Sequence, residues 1–269
     1  MKTQGIKKMF PPLMRNFLKK IRWFFRNYDL IDRSSNLYGA FLYGPITYNT
    51  DGLATCLNCD FIKEPRFQKA YQAAAATNPW PNFTLHWRVY IVCFFADQVK
   101  SLEGDYVECG VNTGAYSKAI IEYSQFNSLN KIFHLLDTFD GLIADQLTEK
   151  EKVAGLDKYL GQYKNVYEGV LETFKNDRVN IIKGTVPETL PLCYTEKVAY
   201  LSIDMNCVEP EVAALEYFYD KVVPGGVIIL DDYGFPQHIH QKIAHDKFAK
   251  QKGISILSLP TGQGIILKK

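Results

Sequence analysis

Beyond residue 100 the chain alternates short apolar runs, most of them closed by an acid, with longer amphipathic stretches. The runs are DYVECG (105 to 110), KIFHLLD (131 to 137), VNIIKG (179 to 184), VAYLSID (198 to 204) and GVIILDD (226 to 232). Near-continuous apolar runs separated by helical stretches predict βαβ units, hence an α/β domain with a mostly parallel sheet covered on both faces. Two further runs, ISILSL (254 to 259) and GQGIILKK (262 to 269), meet at PTG. A parallel pair needs a crossover of a dozen or more residues, so these two strands are expected to be antiparallel. Upstream, RFQKAYQAAAA (66 to 76), closed by TNPWPN, and WRVYIVCFFA (87 to 96) predict helices, the second one buried. The change of pattern predicts a mostly helical N-terminal extension over 1–100 and the α/β domain over 101–269.

Composition supports a large core, with 47% hydrophobic residues in a chain of 269. Charges interrupt every apolar stretch before the roughly 18 residues of a membrane span. The net charge of +2 hides an asymmetry: residues 1–26 carry eight Lys and Arg and no acid, which leaves −6 for the rest. Leu13, Phe17, Ile21 and Phe24 lie at helical spacing within that basic segment, which makes it a candidate for weak contact with a membrane surface or a partner. No secretory leader pattern is visible, so a cytoplasmic location is expected. The acidic body disfavours nucleic acid. Six cysteines include CLNC (56 to 59), but no second Cys or His pair follows at a zinc-binding distance.

In parallel sheets, ligands bind beyond the carboxyl ends of the strands. The residues expected there are Glu108, Gly110, Asp137, Gly184, Asp204, Asp231 and Asp232. In ECGVNTGAYSKAI, Gly110 and Gly114 allow close backbone approach at a strand-to-helix turn, and Asp137 closes the next strand where a ribose diol would lie. The glycine spacing departs from the dinucleotide fingerprint. Glu108, two residues before Gly110, would repel a pyrophosphate but suits a cationic cofactor, which points to S-adenosylmethionine. A plain tight turn, with Asp137 capping a helix, stays open as the alternative.

YVECGVNTGAYS, LLDTFDGL, GTVPETLP, LSIDMNCVEPEVAALEYFYDKVVPGGVIILDDYG and the terminal GQGIILKK together resemble the macrocin O-methyltransferase family over about residues 60–269. The resemblance implies a Rossmann-like seven-stranded class I methyltransferase sheet with an antiparallel last strand. It further implies transfer of a methyl group from S-adenosylmethionine to a sugar hydroxyl, with help from Mg²⁺ or a similar divalent cation. Carried over motif by motif, Glu108, Gly110 and Ser117 would line the methionine part of the cofactor. Asp137, Thr138 and Phe139 would lie at its ribose, and Gly184, Thr185 and Glu188 on the adenine side. Asp204, Asp231 and Asp232 would hold the metal, with Asp204 doubling as catalytic base.

Oxygen ligands suit a hard cation, and a cation bound to a sugar hydroxyl stabilises its alkoxide. Adjacent residues of a strand point to opposite sides, so the chain must bend for Asp231 and Asp232 to share an ion. The alternative is that one of them caps the following helix. Asn206 stands where sugar-methylating relatives commonly carry a second acid. His238, His240 and His245 follow the paired aspartates as candidate pocket residues or as ordinary loop and helix histidines.

The segment 141–178 reads as a long insertion, either a lid over the substrate or a solvated excursion. Tyr38, Tyr43, Tyr48, Trp80 and Trp87 are candidates for a second wall or a homo-oligomer contact. Three functions compete: O-methylation of a sugar or glycosylated small molecule, O-methylation of a catechol-like phenol, and a non-catalytic cofactor-binding, membrane-associated module.

Overall fold

The structure, a computed structural model, describes Met14, residues 46–162 and residues 164–269. The basic segment 1–26, apart from Met14, and Tyr38, Tyr43 and Tyr163 lie outside the described residues. The chain divides into two compact units, one of residues 1–49 and 54–58, the other of residues 50–53 and 59–269. In the first, the described residues carry parts of a hairpin of β1 (Tyr48–Thr50) and β2 (Leu53–Thr55). The unit that carries the main sheet therefore takes in residues 59–100, where sequence reasoning drew a boundary at 100.

The reason is the packing of two early helices. Pro65 opens α1 (Pro65–Ala76), a position where its missing N–H costs nothing. In α2 (His86–Gln98) the buried residues Val89, Val92, Cys93 and Ala96 fall at i, i+3, i+4 and i+7, one face of a helix. Both helices pack against α3 (Ala115–Ser124), the first helix of the alternating strand and helix pattern.

The remaining elements are β3 (Asp105–Cys109), β4 (Phe133–Asp137), α4 (Glu149–Val153), α5 (Tyr167–Phe174), β5 (Val179–Lys183), β6 (Val198–Ile203), α6 (Val208–Tyr219), β7 (Val222–Leu230), α7 (Ile239–Lys252), β8 (Leu257–Ser258) and β9 (Gly264–Leu267). The sheet order is β5-β4-β3-β6-β7-β9-β8. The first five are parallel, and β9 pairs antiparallel with both β7 and β8, the second pairing as the short PTG connection predicts.

Strand alternation assigns the two faces. Tyr106, Phe133, Leu135, Tyr200 and Val227 pack with the buried faces of α1, α2, α3 and α5. Val107, Cys109, Leu136, Leu201 and Ile228 pack with Ala214, Leu215 and Phe218 of α6 and with Phe248 of α7. The segment 141–178 is only partly an excursion, since α5 within it buries Val170 and Phe174 in the first core as the crossover between β4 and β5. Among the described residues no helix is long and apolar enough to cross a membrane.

Candidate active site

The carboxyl ends of β3, β4, β6 and β7 open onto one cavity of about 340 Å³. Its wall includes Glu108, Gly110, Asp137, Thr138, Phe139, Gly184, Asp204, Asp231 and Asp232. Nine of the expected site residues are thus brought together. Ser117, Thr185 and Glu188 do not line it. Ser117 lies behind the wall and donates its hydroxyl to Glu108 Oε2. Glu188 is exposed on the surface, and its carboxyl is held below the ordinary range chiefly by a hydrogen bond from Thr185.

Gly110 has a φ of 90° and Gly114 one of 88°, in the left-handed region that favours glycine. The neighbours that exclude a side chain are the protein's own: a Cβ at Gly110 would collide with the carbonyl oxygen of Asp204, and one at Gly114 with the ring of Phe174. Gly110 thereby lets the turn after β3 lie directly against the end of β6. Asp137 fixes this turn. Its Oδ2 accepts the amides of Val111 and Asn112 at 2.6 and 2.7 Å, and its Oδ1 accepts that of Phe139 at 2.7 Å. Instead of capping a helix, the carboxylate organises the loop itself.

Glu108 is 2% exposed, and burial raises its carboxyl to about 8, against the opposing hydrogen bond from Ser117. A buried carboxyl facing a cavity is costly when ionised and unpaired, which leaves it ready to receive a cationic group.

Beyond Leu230 the chain leaves the strand and turns through residues 231–234. That bend brings Asp231 and Asp232 to Asp204, with one carboxylate oxygen of each within 4.8 Å of the others. Each acid is held differently. Asp204 Oδ1 accepts the side-chain amide of Asn206 at 3.0 Å, so Asn206 offers the acid its N–H rather than its carbonyl. Asp231 accepts Gln263 Nε2 at 2.9 Å, the Tyr116 hydroxyl at 3.1 Å and Arg88 Nη1 at 2.5 Å. Asp232 Oδ2 is buried without a hydrogen bond, with His238 Nε2 3.5 Å away. Burial, then the charges of Asp231 and Asp232, raise the Asp204 carboxyl well above its ordinary value, and burial raises Asp232 to about 6.

Of the three histidines only His238 lines the cavity. His245 is buried behind it, facing Glu211 Oε2 at 3.4 Å and lowered to about 4 by burial. Glu211, in the first turn of α6, accepts the amides of Met205 and Asn206, both at 3.0 Å, and Gln241 Nε2 at 2.6 Å. Gln241 in turn bonds His238 Nδ1. One buried acid therefore steadies the loop of Asp204 on one side and the His238 ring on the other.

Residues that sequence reasoning did not connect to the site are Arg88, Tyr116, Gln263, Glu211 and Asp51. The available signal was the lone Arg88 inside the apolar run WRVYIVCFFA. A cation there needs an acid nearby.

The macrocin-O-methyltransferase (TylF) family model matches residues 90–257, which include the turn after β3 and all three clustered aspartates. The chain belongs to that family. This TylF-family chain is 26% identical over 140 residues to the 8-demethyl-8-(2,3-dimethoxy-alpha-L-rhamnosyl)-tetracenomycin-C 4'-O-methyltransferase of Streptomyces olivaceus, an alignment that covers 48% of this chain and 53% of the relative. It is 24% identical over 147 residues to the mycinamicin III 3''-O-methyltransferase of Micromonospora griseorubida, covering 49% of this chain and 56% of the relative. Each match thus spans about half the length of the relative. Among solved structures, the O-methyltransferase NovP is similar in fold, with a TM-score of 0.58, 21% identity and coverage of 68% of this chain and 79% of that one. Arg88 and Gln263, which bond Asp231, and Asp51, which bonds Arg88, lie beyond the stretch matched by the TylF family.

Proposed function

We propose that the chain transfers a methyl group from S-adenosylmethionine to a hydroxyl of a sugar or glycosylated small molecule, with a divalent cation, Mg²⁺ or similar, held at the aspartate cluster. One observation carries this reading: in a TylF-family chain, Asp204, Asp231 and Asp232 converge at the same sheet edge as the Gly110 turn and Glu108. Family membership and the two sugar-methylating relatives support the reaction class.

The residues present suit such an ion. Three carboxylates of one cluster point at a common space, and the buried Asp232 Oδ2 has no hydrogen bond. Oxygen donors are what Mg²⁺ prefers. Bound at Asp204, Asp231 and Asp232, the ion would supply electrostatic stabilisation to the acceptor oxygen as it loses its proton.

The chain's own residues do the rest. Glu108 offers a buried acid to the cationic methionine end of the donor, with Ser117 holding the carboxylate in place. Asp137 shapes the loop of Val111 and Asn112 against which the ribose would lie, with Thr138 and Phe139 beside it. Gly184 completes the far wall. Asp204 takes the hydroxyl proton, and Asn206 orients it. Aligning donor and acceptor is worth up to about 7–11 kcal/mol, the largest contribution asked of this site. Segment 141–162 supplies Leu142, Ile143, Gln146 and Tyr159 to the wall, which suits a lid over the acceptor. Weak contact of residues 1–26 with an anionic membrane surface, and a cytoplasmic location, join the proposal on the sequence alone.

The test is transfer of label from methyl-labelled S-adenosylmethionine to a panel of rhamnosides and other glycosides, with Mg²⁺ and with EDTA. The reading expects labelled methyl ether on a sugar hydroxyl and its loss with EDTA. Labelling of a plain catechol in place of every glycoside would replace the acceptor class, and undiminished transfer in EDTA would remove the metal.

A further inference from the structure

Arg88 enters the cavity wall from the first turn of α2, and its donors are divided between two acids. Nε and Nη2 bind Asp51 Oδ2 and Oδ1 at 2.8 and 3.0 Å, a two-pronged contact, while Nη1 binds Asp231 Oδ2 at 2.5 Å. Its side chain is 13% exposed, and the guanidinium carbon lies 5.2 Å from the centroid of the Phe235 ring. Asp51 sits at the turn of the β1–β2 hairpin with a φ of 54°, a conformation that aspartate tolerates better than most residues. On its other side Asp231 is held by Gln263 and Tyr116.

The consequence concerns charge. Asp231, one of the three acids a cation at the cluster would use, already has a cation against its Oδ2. An arginine stays protonated at any working pH, so the charge does not leave by losing a proton. Three acids in a buried cluster are costly without a counter-charge, and here the guanidinium supplies one. Yet two of its three contacts go to Asp51, which draws it toward the hairpin turn and away from the aspartate cluster.

We propose that Arg88 is the resident counter-ion of the Asp204, Asp231 and Asp232 cluster, competing with the divalent ion for Asp231, and that its fork to Asp51 sets how firmly it competes. This rests on the metal reading above. The hairpin turn at residues 50–53 then tunes a site formed mainly by residues far away in sequence. The two partners act with opposite sign. Removing the guanidinium leaves Asp231 open to the ion. Removing the Asp51 charge leaves the guanidinium with Asp231 as its one ionised partner and strengthens the competition.

The test is titration of the full chain with Mn²⁺, free ion being read by electron paramagnetic resonance, for wild type, Arg88→Met and Asp51→Asn. Calorimetric titration with S-adenosylhomocysteine on each serves as the control for fold. Arg88→Met is expected to bind Mn²⁺ at least about tenfold more tightly, and Asp51→Asn about threefold or more weakly, with S-adenosylhomocysteine affinity within about twofold throughout. If Arg88→Met binds Mn²⁺ no better than wild type, or both variants shift in the same direction, the inference fails while the metal reading stands. If neither wild type nor any variant binds Mn²⁺, both fail together. Should Arg88→Met not fold, Asp51→Asn decides alone: weaker binding supports the competition, and unchanged or tighter binding overturns it.

Discussion

Asp137 Oδ2 lies 2.6 Å from the amide nitrogen of Val111, so the last residue of β4 holds the turn that follows β3. With the Asn112 and Phe139 amides it satisfies three backbone donors at once. Each buried donor left unpaired costs about 1–3 kcal/mol. Asp137→Ala should therefore lower the melting temperature and weaken S-adenosylhomocysteine binding by more than about a hundredfold. Asp137→Asn, which keeps an oxygen acceptor, should lose less of both. Calorimetry and thermal denaturation on the two variants check this; equal affinity in wild type and Asp137→Ala would separate the residue from the cofactor.

Glu108 gives a pH dependence with a definite sign. Burial raises its folded-state value to about 8 from an ordinary 4.5, so the fold favours the protonated acid. That contribution is complete below about 4.5 and is lost as pH rises through about 8, at up to about 1.4 kcal/mol per pH unit within the window. Relative to wild type, Glu108→Gln should show a flatter melting temperature between those limits. Parallel profiles for the two proteins would mean that Glu108 is ionised in the fold throughout.

The same two acids show what the sequence made legible. An apolar run ending in an acid marks both a strand and its carboxyl edge, which is why Glu108, Asp137, Asp204, Asp231 and Asp232 were placed at one cavity without coordinates. The antiparallel β9 followed from a connection too short for a crossover. Arg88 and Asp231 are 143 positions apart, and nothing local to either names the other. Glu151 and Glu211 read as ordinary charges of helical stretches, yet both are buried at 1% exposure because they accept backbone amides at the ends of other elements. Thr185 and Glu188 were legible as a motif, but from that turn the cavity wall takes Gly184 and Val186 instead. The 59–100 helices looked like an extension because their partner, α3, is one helix among several with a similar apolar face.

Asp204 is the residue on which turnover depends in this account. Asp204→Asn preserves shape and the contact with Asn206 while removing the base and one acid of the cluster. Methyl transfer should fall by about 10²–10⁴, the range of general-base contributions, with S-adenosylhomocysteine affinity nearly unchanged. Measured together, the rate and the affinity distinguish a lost base from a lost fold; retained activity would exclude Asp204 from the chemistry.

Glu151 ties the segment that supplies Leu142, Ile143, Gln146 and Tyr159 to the cavity wall to the start of α6. Its Oε1 accepts the Val208 amide at 2.7 Å, and its Oε2 accepts the amide and hydroxyl of Thr148 at 2.9 and 2.7 Å. Leu147 and Leu156 pack beside it on Cys207, a buried thiol whose pKa is raised by burial. Glu151→Ala should speed modification of Cys207 by a thiol reagent, read by mass spectrometry at that site. Added S-adenosylhomocysteine should slow it again. An unchanged rate at Cys207 would show that the segment is held down without Glu151.

The most direct test of the central claim is calorimetric titration of the wild-type chain with S-adenosylhomocysteine. The account predicts micromolar binding to a single site, lost in Asp137→Ala and retained in Asp204→Asn. No binding to the wild type would mean that the glycine turn and its acids are scaffold only, and would contradict the assignment of the cavity to a methyl donor.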